Sequence, residues 1–284
     1  MLRVRPRSEP ARLLDDRDRA AALEVCDIDP VANVFVASRI GALGVEPGRL
    51  GAQIWGYPES GRLTSLCYSG ANLVPVQATS AAIAAFAERA LRQGRRCSSM
   101  VGPADAVTEL WSYLRLRWGP AREIRAAQPL MAISGPPRVA ANPAVRRVRP
   151  DEIDVLMPAC IAMFTEEVGV SPLTGDGGAA YRARVTELVR TGRAFARIEN
   201  GKVLFKAEVG AATSQACQVQ GVWVRPECRG RGLAAPGMAA VVEEARDSIA
   251  PVVSLYVNDF NTPARAAYRR TGFTEIGRFM SILF

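Results

Sequence analysis

The chain has 284 residues, a net charge of +8, 49% hydrophobic and 23% charged residues, and no histidine. That length accommodates two ordinary domains with separate cores, and without an apolar run long enough to cross a bilayer no membrane partner is expected. The absence of histidine removes the commonest general base and zinc ligand at once, so acid–base chemistry falls to carboxylates, tyrosine, cysteine or water, and no metal is expected.

The positive charge is almost all arginine, since Lys202 and Lys206 are the only lysines. Because these arginines are dispersed among acidic residues, the charge reads as compositional bias and no nucleic-acid partner is expected. Six cysteines, at 26, 67, 97, 160, 217 and 228, lack CxxC spacing and are read as reduced thiols. The opening stretch MLRVRPRSEPARLLDD has arginines but no apolar core behind them, so it is not read as a secretory signal and the cytoplasm is the expected location.

Taken in order, helical patterns up to about Ile40 precede expected strands near 51–57, 62–68 and 72–76. A helix at 79–93, a strand at 97–101, a helix at 103–117 and strands through 122–133 follow. Residues 134–147, SGPPRVAANPAVRR, hold three prolines among small residues and mark a boundary. The division read from this is a first domain at 1–135, a linker at 136–143 and a second domain at 144–284.

The second domain reads as a strand at 144–149, a helix from Pro150 to about Val168, the loop VSPLTGDGG at 170–178 and a helix near 179–191. Strands at 193–199 and 202–210 are joined by Asn200-Gly201, a two-residue hairpin signal, and a third strand spans 216–224. Helix, strand, helix and a closing pair of strands complete it. The fold class is therefore α/β, in the α+β sense: a mixed central sheet flanked by helices. The first domain repeats the same element order without repeating its residues.

Two stretches carry the chemistry. In the first, Val222, Trp223 and Val224 end a strand, and Arg229-Gly230-Arg231-Gly232-Leu233-Ala234-Ala235 opens a helix. Free N–H groups and the positive dipole end of a helix attract an anion, and glycines let a phosphate come close. In the second, a strand ends at Asn258, and Asn261, followed by Thr262-Pro263, caps a helix that Gly272-Phe273 stops. Tyr268 lies seven residues after Asn261, two helical turns along the same face.

The pattern Arg229-x-x-Gly232-x-Ala234, followed by Asn258-x-x-Asn261-x-x-Ala264-x-x-x-Tyr268-x-x-x-Gly272-Phe273, resembles the two coenzyme-binding motifs of the GNAT superfamily, the GCN5-related N-acetyltransferases. The resemblance implies the acyl-CoA N-acyltransferase fold, acetyl-CoA as cofactor and acyl donor, and an amine acceptor as the second partner. It places the pyrophosphate on the loop from Arg229 to Ala235 and the pantetheine arm along the backbone of Val222, Trp223 and Val224, where two strands splay. Asn258 and Asn261 lie on the coenzyme side. The first domain is read as a degenerate GNAT-like partner in tandem: NLVPVQATSA at 72–81 lacks the glycine pair, although Thr79 or Ser80 can cap the helix, and no CoA is expected there.

Tyr268 is the expected acid for the departing thiolate. A phenol near pKa 10 donating to a thiolate near 8.5 runs about 2 kcal/mol uphill, so the transfer requires coupling to collapse of the tetrahedral intermediate. Many family members carry a carboxylate on the strand before the loop; here that stretch is Gln218-Val219-Gln220, a departure. Glu208 in KVLFKAEVG is the expected substitute base, with Glu166 and Glu167 as residues of the acceptor mouth. Deprotonating a lysine-like amine at pH 7 costs roughly 4.6 kcal/mol against about 1 for an α-amine, which favours low-pKa acceptors.

Cys228 beside Arg229 stands where a thiol can be activated, and an ordinary loop cysteine is the plainer reading. Pro236-Gly237 is expected to bend or shorten the first turn of its helix. The function read from these features is acetyl transfer to a primary amine by direct attack in a ternary complex. The alternative is a non-catalytic acyl-CoA-binding sensor or scaffold. Acceptor identity and oligomeric state are left open.

Overall fold

The computed structural model describes residues 10–175 and 177–284. The first nine residues of the opening stretch and Asp176 of the 170–178 loop lie outside the described residues. Two compact units are present: one runs to Leu130 and also takes in Glu275–Phe284, and the other is Met131–Thr274.

In the first unit, β1 (Arg12–Leu13) leads to helices α1 (Arg19–Cys26), α2 (Val34–Leu43) and the short α3 (Pro47–Leu50). Strands β2 (Gln53–Tyr57), β3 (Ser65–Ser69) and β4 (Asn72–Val76) follow, then α4 (Ser80–Gln93), β5 (Ser99–Pro103), α5 (Ala104–Trp118) and β6 (Glu123–Ile133), whose last residues pass into the second unit. β1 through β4 pair antiparallel in succession, and β4 pairs parallel with β5. The five-residue strands are short, nearly continuous apolar runs because helices bury them, with Trp55, Phe86 and Leu110 at the heart of one packed cluster.

In the second unit the order is β7 (Val145–Arg147), α6 (Ile153–Val168), α7 (Ala179–Arg190), β8 (Ala194–Glu199), β9 (Lys202–Ala212), β10 (Ala216–Val224), α8 (Ala234–Ser248), β11 (Val252–Tyr256) and α9 (Thr262–Thr271). Here too the first four strands pair antiparallel and the fourth pairs parallel with the fifth. Each unit thus has the same succession of strands and helices and the same pairing sense. Asn200 and Gly201 form the expected hairpin turn with φ values of 49° and 70°. One cluster packs α8 and α9 on one face of the second sheet, and another packs α6 and α7 on the other.

Three features differ from the sequence expectation. The closing pair of strands is a single strand, β12 (Thr274–Leu283). From Glu275 onward it belongs to the first unit, antiparallel to β5 from Phe279↔Pro103 to Leu283↔Ser99, so the compact second unit ends at Thr274 and not at 284. The physical reason is pairing: β5 presents an edge, and Met280 and Ile282 fit the cluster around Met100. Likewise 122–133 is one long strand, not several.

Deleting residues 275–284 should therefore damage the first unit. Burial of Met280 and Ile282 corresponds to roughly 3–6 kcal/mol in sum. Hydrogen exchange should show lost protection in Ser99–Pro103 and α4, with β8 and β9 still protected; unchanged protection in β5 would contradict this assignment.

Candidate functional site

β10 and β11 pair only through Ala216↔Val252, Cys217↔Val253 and Gln218↔Ser254, although β10 continues to Val224 and β11 to Tyr256. The strands therefore part beyond Gln218. On its other side β10 stays on β9, but with a register shift between Gln220↔Glu208 and Trp223↔Lys206, so that Gly221 and Val222 face Ala207 alone. This is a β-bulge with Gly221 at φ +59°.

The bulge fixes which backbone groups face the gap. Arg225 donates its N–H to the Leu204 carbonyl on β9 at 2.9 Å. By strand alternation the N–H and C=O of Trp223 also face β9, while those of Val222 and Val224 face the gap. Val222 and Val224 pack their side chains on the α8/α9 cluster, and the Trp223 side chain lies in the α6/α7 cluster. Strand alternation therefore separates the three expected pantetheine contacts: the N–H and C=O of Val222 and the N–H of Val224 face the gap, the Val224 carbonyl accepts from Arg229 Nε, and the groups of Trp223 face β9.

After Val224 the chain makes a single 3-10 turn, Pro226–Cys228, and then the glycine loop. Gly230 and Gly232 adopt φ of +73° and +75°. Among the described residues, the amides from Gly230 to Ala235 donate to no backbone carbonyl. A methyl built on either glycine would meet nothing within 4 Å, so the space beside the loop is open. This is an anion nest at the N-terminus of a 15-residue helix.

Arg229 behaves differently from expectation. Its Nε donates to the Val224 carbonyl at 3.0 Å and its Nη2 to Glu166 Oε2 at 2.7 Å, while the other oxygen of Glu166 accepts from Trp223 Nε1 at 3.1 Å. Arg229 and Glu166 thus brace the loop against the strand end and α6. Arg231 is exposed, and Cys228 is half-buried in the turn.

α8 runs without interruption through Pro236 and Gly237. Pro236 is the third residue of α8, where an amide has no helical partner to lose, and its carbonyl accepts from the Asn142 N–H at 3.0 Å. A Cβ on Gly237 would lie 2.8 Å from the Phe205 ring, so glycine here sets how closely α8 seats on β9.

Asn261 caps α9 as expected, its Oδ1 accepting from the Ala264 N–H at 3.2 Å, and the Asn258 carbonyl accepts from the Asn261 N–H at 3.0 Å in the preceding turn. Tyr268 is buried in the same cluster that Val222 and Val224 pack against, with its ring 6.0 Å from Phe273. Burial pushes its phenol above the ordinary tyrosine value and Glu167 pushes it further the same way. The group is therefore a neutral O–H donor at any physiological pH, and proton transfer from it to a thiolate is more uphill than reference values suggest.

Glu208 is not a free carboxylate. It is buried, its Oε2 accepts from Lys206 Nζ at 3.2 Å, and its Oε1 accepts from Gln220 Nε2 at 3.1 Å. Gln220 itself is exposed and lies across Gly210, where any Cβ would come within 2.2 Å of its amide. Lys206, Gly221 and Cys160 beneath this cluster were not singled out from sequence. The available signals were a lysine two residues from Glu208 in an apolar strand of an arginine-rich chain, and a glycine inside a strand.

In the first unit the equivalent positions are closed. β4 and β5 also pair over only two residues, but Pro75 then lies against Gly102, and Thr79 Oγ1 accepts the Ala82 N–H at 3.3 Å at the start of α4.

Residues 184–273 match the Acetyltransferase (GNAT) family, and residues 52–156 match a domain of unknown function, DUF4081. No curated protein matches the chain. A GNAT-family acetyltransferase from Colwellia psychrerythraea is similar in structure, at 12% identity, over 96% of this chain and 99% of that one, with a TM-score of 0.55. A Drosophila protein has a TM-score of 0.67 at 14% identity over 97% and 99% of the two chains. A tandem GNAT protein from the clavulanic acid biosynthesis pathway gives 0.57 at 15% identity over 95% and 97%. Identities this low speak to fold. The family match lies within the second unit, and the chain has the fold of GNAT proteins, a tandem one among them.

Gly221→Ala should be the most damaging single methyl in the site. The new Cβ would stand 2.9 Å from Met163 Cε, 3.0 Å from Lys206 Nζ and 3.2 Å from Glu208 Cδ, in a left-handed conformation. A loss of about 2–4 kcal/mol is expected from strain and overpacking together. Gly230→Ala and Gly232→Ala, with open space beside them, should lose only about 1–2 kcal/mol; urea midpoints that rank the three alike would refute this.

Proposed function

We propose that the chain is an acetyl-CoA-dependent N-acetyltransferase that moves the acetyl group to a primary amine by direct attack in a ternary complex. The observation that carries this reading is the run of uncommitted amides from Gly230 to Ala235, placed directly after a strand that parts from its neighbour. A diphosphate on those amides and a pantetheine arm along the gap-facing groups of Val222 and the N–H of Val224 would use backbone groups on the open side of β10, the Val224 carbonyl being held by Arg229.

In this reading Arg229 and Glu166 act by holding the loop, and Arg231, Leu233, Ala234 and Ala235 form the rest of the cradle. Asn261 acts through its cap, which orients α9 and so Tyr268. The Tyr268 hydroxyl supplies the proton to the departing CoA sulfur as the tetrahedral intermediate collapses. Glu208, with Gln220 above it, lies on the α6/α7 face of β10, the side opposite α8, and receives the proton of the attacking amine directly or through water. The neutral cluster charge suits an acceptor that arrives with a modest pKa, such as an α-amine. No metal is required for any of these steps.

Titration calorimetry should detect CoA uptake, and thiol release from acetyl-CoA should appear with at least one member of a mixed amine panel. CoA uptake without thiol release would favour a non-catalytic sensor. Tyr268→Phe should lower kcat by about 10²-fold or more while acetyl-CoA affinity stays within about 2-fold, the signature of a group that acts in the transition state. Equal turnover in the variant removes Tyr268 from the chemistry.

A further inference from the structure

Lys206 is one of two lysines in a chain that otherwise uses arginine for positive charge, and unlike the exposed Lys202 it is 1% exposed. It occupies the middle of β9 with Glu208 two residues on, so both side chains leave the same face, toward α6. An arginine fork would not fit the space: the Gly221 backbone passes so close that a methyl there would be 3.0 Å from the ammonium. A compact point charge does fit.

Stability does not account for this pair. A buried Lys–Glu pair is commonly no more stable than apolar side chains of the same volume, because removing both charges from water offsets their attraction. Yet the pair lies directly under the bulge from which β10 departs toward the gap. Burial acts to lower the proton affinity of Lys206, but the Glu208 charge overcomes it and the lysine ends above its ordinary value, with Cys160 contributing.

We infer that Lys206 is a positioning residue for acetyl transfer: its buried ammonium, 3.2 Å from Glu208 Oε2, holds that carboxylate aimed past Gly221 toward the acceptor. This rests on the transferase reading above. The remaining groups facing the pair are known. From α6, Cys160 is pushed up to about 11 by burial; from α7, Tyr181 is raised by burial and bonded through its hydroxyl to the Cys160 carbonyl at 2.9 Å. Both are neutral near pH 7. Gln220 from β10 does not titrate, and the Arg184 guanidinium of α7 is held on the Gly210 carbonyl at 2.8 Å. The Glu208 carboxylate is thus the anion that the Lys206 ammonium contacts.

Two measurements on the full chain test this. With lysine labelled at Cε with carbon-13, only two side chains report. In the wild type Lys206 should stay protonated to higher pH than Lys202, and in Glu208→Gln it should lose its proton before Lys202 does, because burial then acts without the carboxylate. Unchanged order in the variant overturns the coupling. In the second, pH profiles of kcat/KM for thiol release with one fixed amine should move their acid-side midpoint up by one pH unit or more in Lys206→Met, with CoA affinity within about 2-fold. The sign follows from losing the counter-charge, which raises the carboxyl's proton affinity, so activity disappears at higher pH as the solution is acidified.

Should Lys206→Met fail to fold, Lys206→Met combined with Glu208→Gln leaves no charge unpaired. It should match the profile and rate of Glu208→Gln alone, because a positioning residue has no effect once its target is gone; a further 10-fold loss would show an independent role and overturn the inference. A wild-type chain that binds CoA but releases no thiol with any amine sinks the transferase reading and this inference with it. Turnover with an unmoved acid limb in Lys206→Met sinks this inference alone.

Discussion

The candidate site lies where the pairing of two neighbouring strands stops. β10 is bonded to β9 on one side along its length but to β11 for three residue pairs only, after which the two strands separate. Every buried N–H and C=O needs a partner. The parting of β10 from β11 therefore leaves backbone groups of β10 without a strand partner on that side, one of which, the Val224 carbonyl, is met by Arg229. The bulge at Gly221 is what allows it, since it turns β10 while preserving pairing with β9 on either side. The amides from Gly230 to Ala235, which donate to no backbone carbonyl, follow directly and lead to the start of α8.

The cost of this arrangement is concentrated beneath the bulge. Gly221 has Met163, Lys206 and Glu208 against its Cα, and the polar pair is shielded from water by α6 and α7. Glu208 is satisfied on both oxygens, by Lys206 and Gln220, and Glu166 on both of its own, by Trp223 and Arg229. Two carboxylates thus tie the sheet, the loop and the end of α6 into one polar framework. Such fully partnered networks specify geometry more than they add stability.

The two units show how little separates a site from a closed sheet. They share strand order, pairing sense and helix placement, and in both the fourth and fifth strands pair only briefly. In the first, Pro75 lies against Gly102 and the side chain of Thr79 takes an amide at the start of α4; in the second, the amides from Gly230 to Ala235 donate to no backbone carbonyl. The difference lies in a handful of residues and not in the fold. No described helix is long and apolar enough to cross a membrane.

Local features were legible in the sequence because they depend on neighbours in the chain. The hairpin at Asn200-Gly201, the Asn261 cap with Pro263 behind it, the Thr79 cap and the glycine loop at 230 and 232 all follow from short-range sterics and local hydrogen bonds. What depends on partners distant in sequence was not legible. That β12 completes the sheet of the first unit, that Lys206 neutralises Glu208, that Arg229 is occupied by Val224 and Glu166, and that Gly237 makes room for Phe205 were decided by packing. Periodicity reports which face of an element is apolar, but the identity of the element that covers that face, and the charge that meets a buried carboxylate, exist only once the chain is folded.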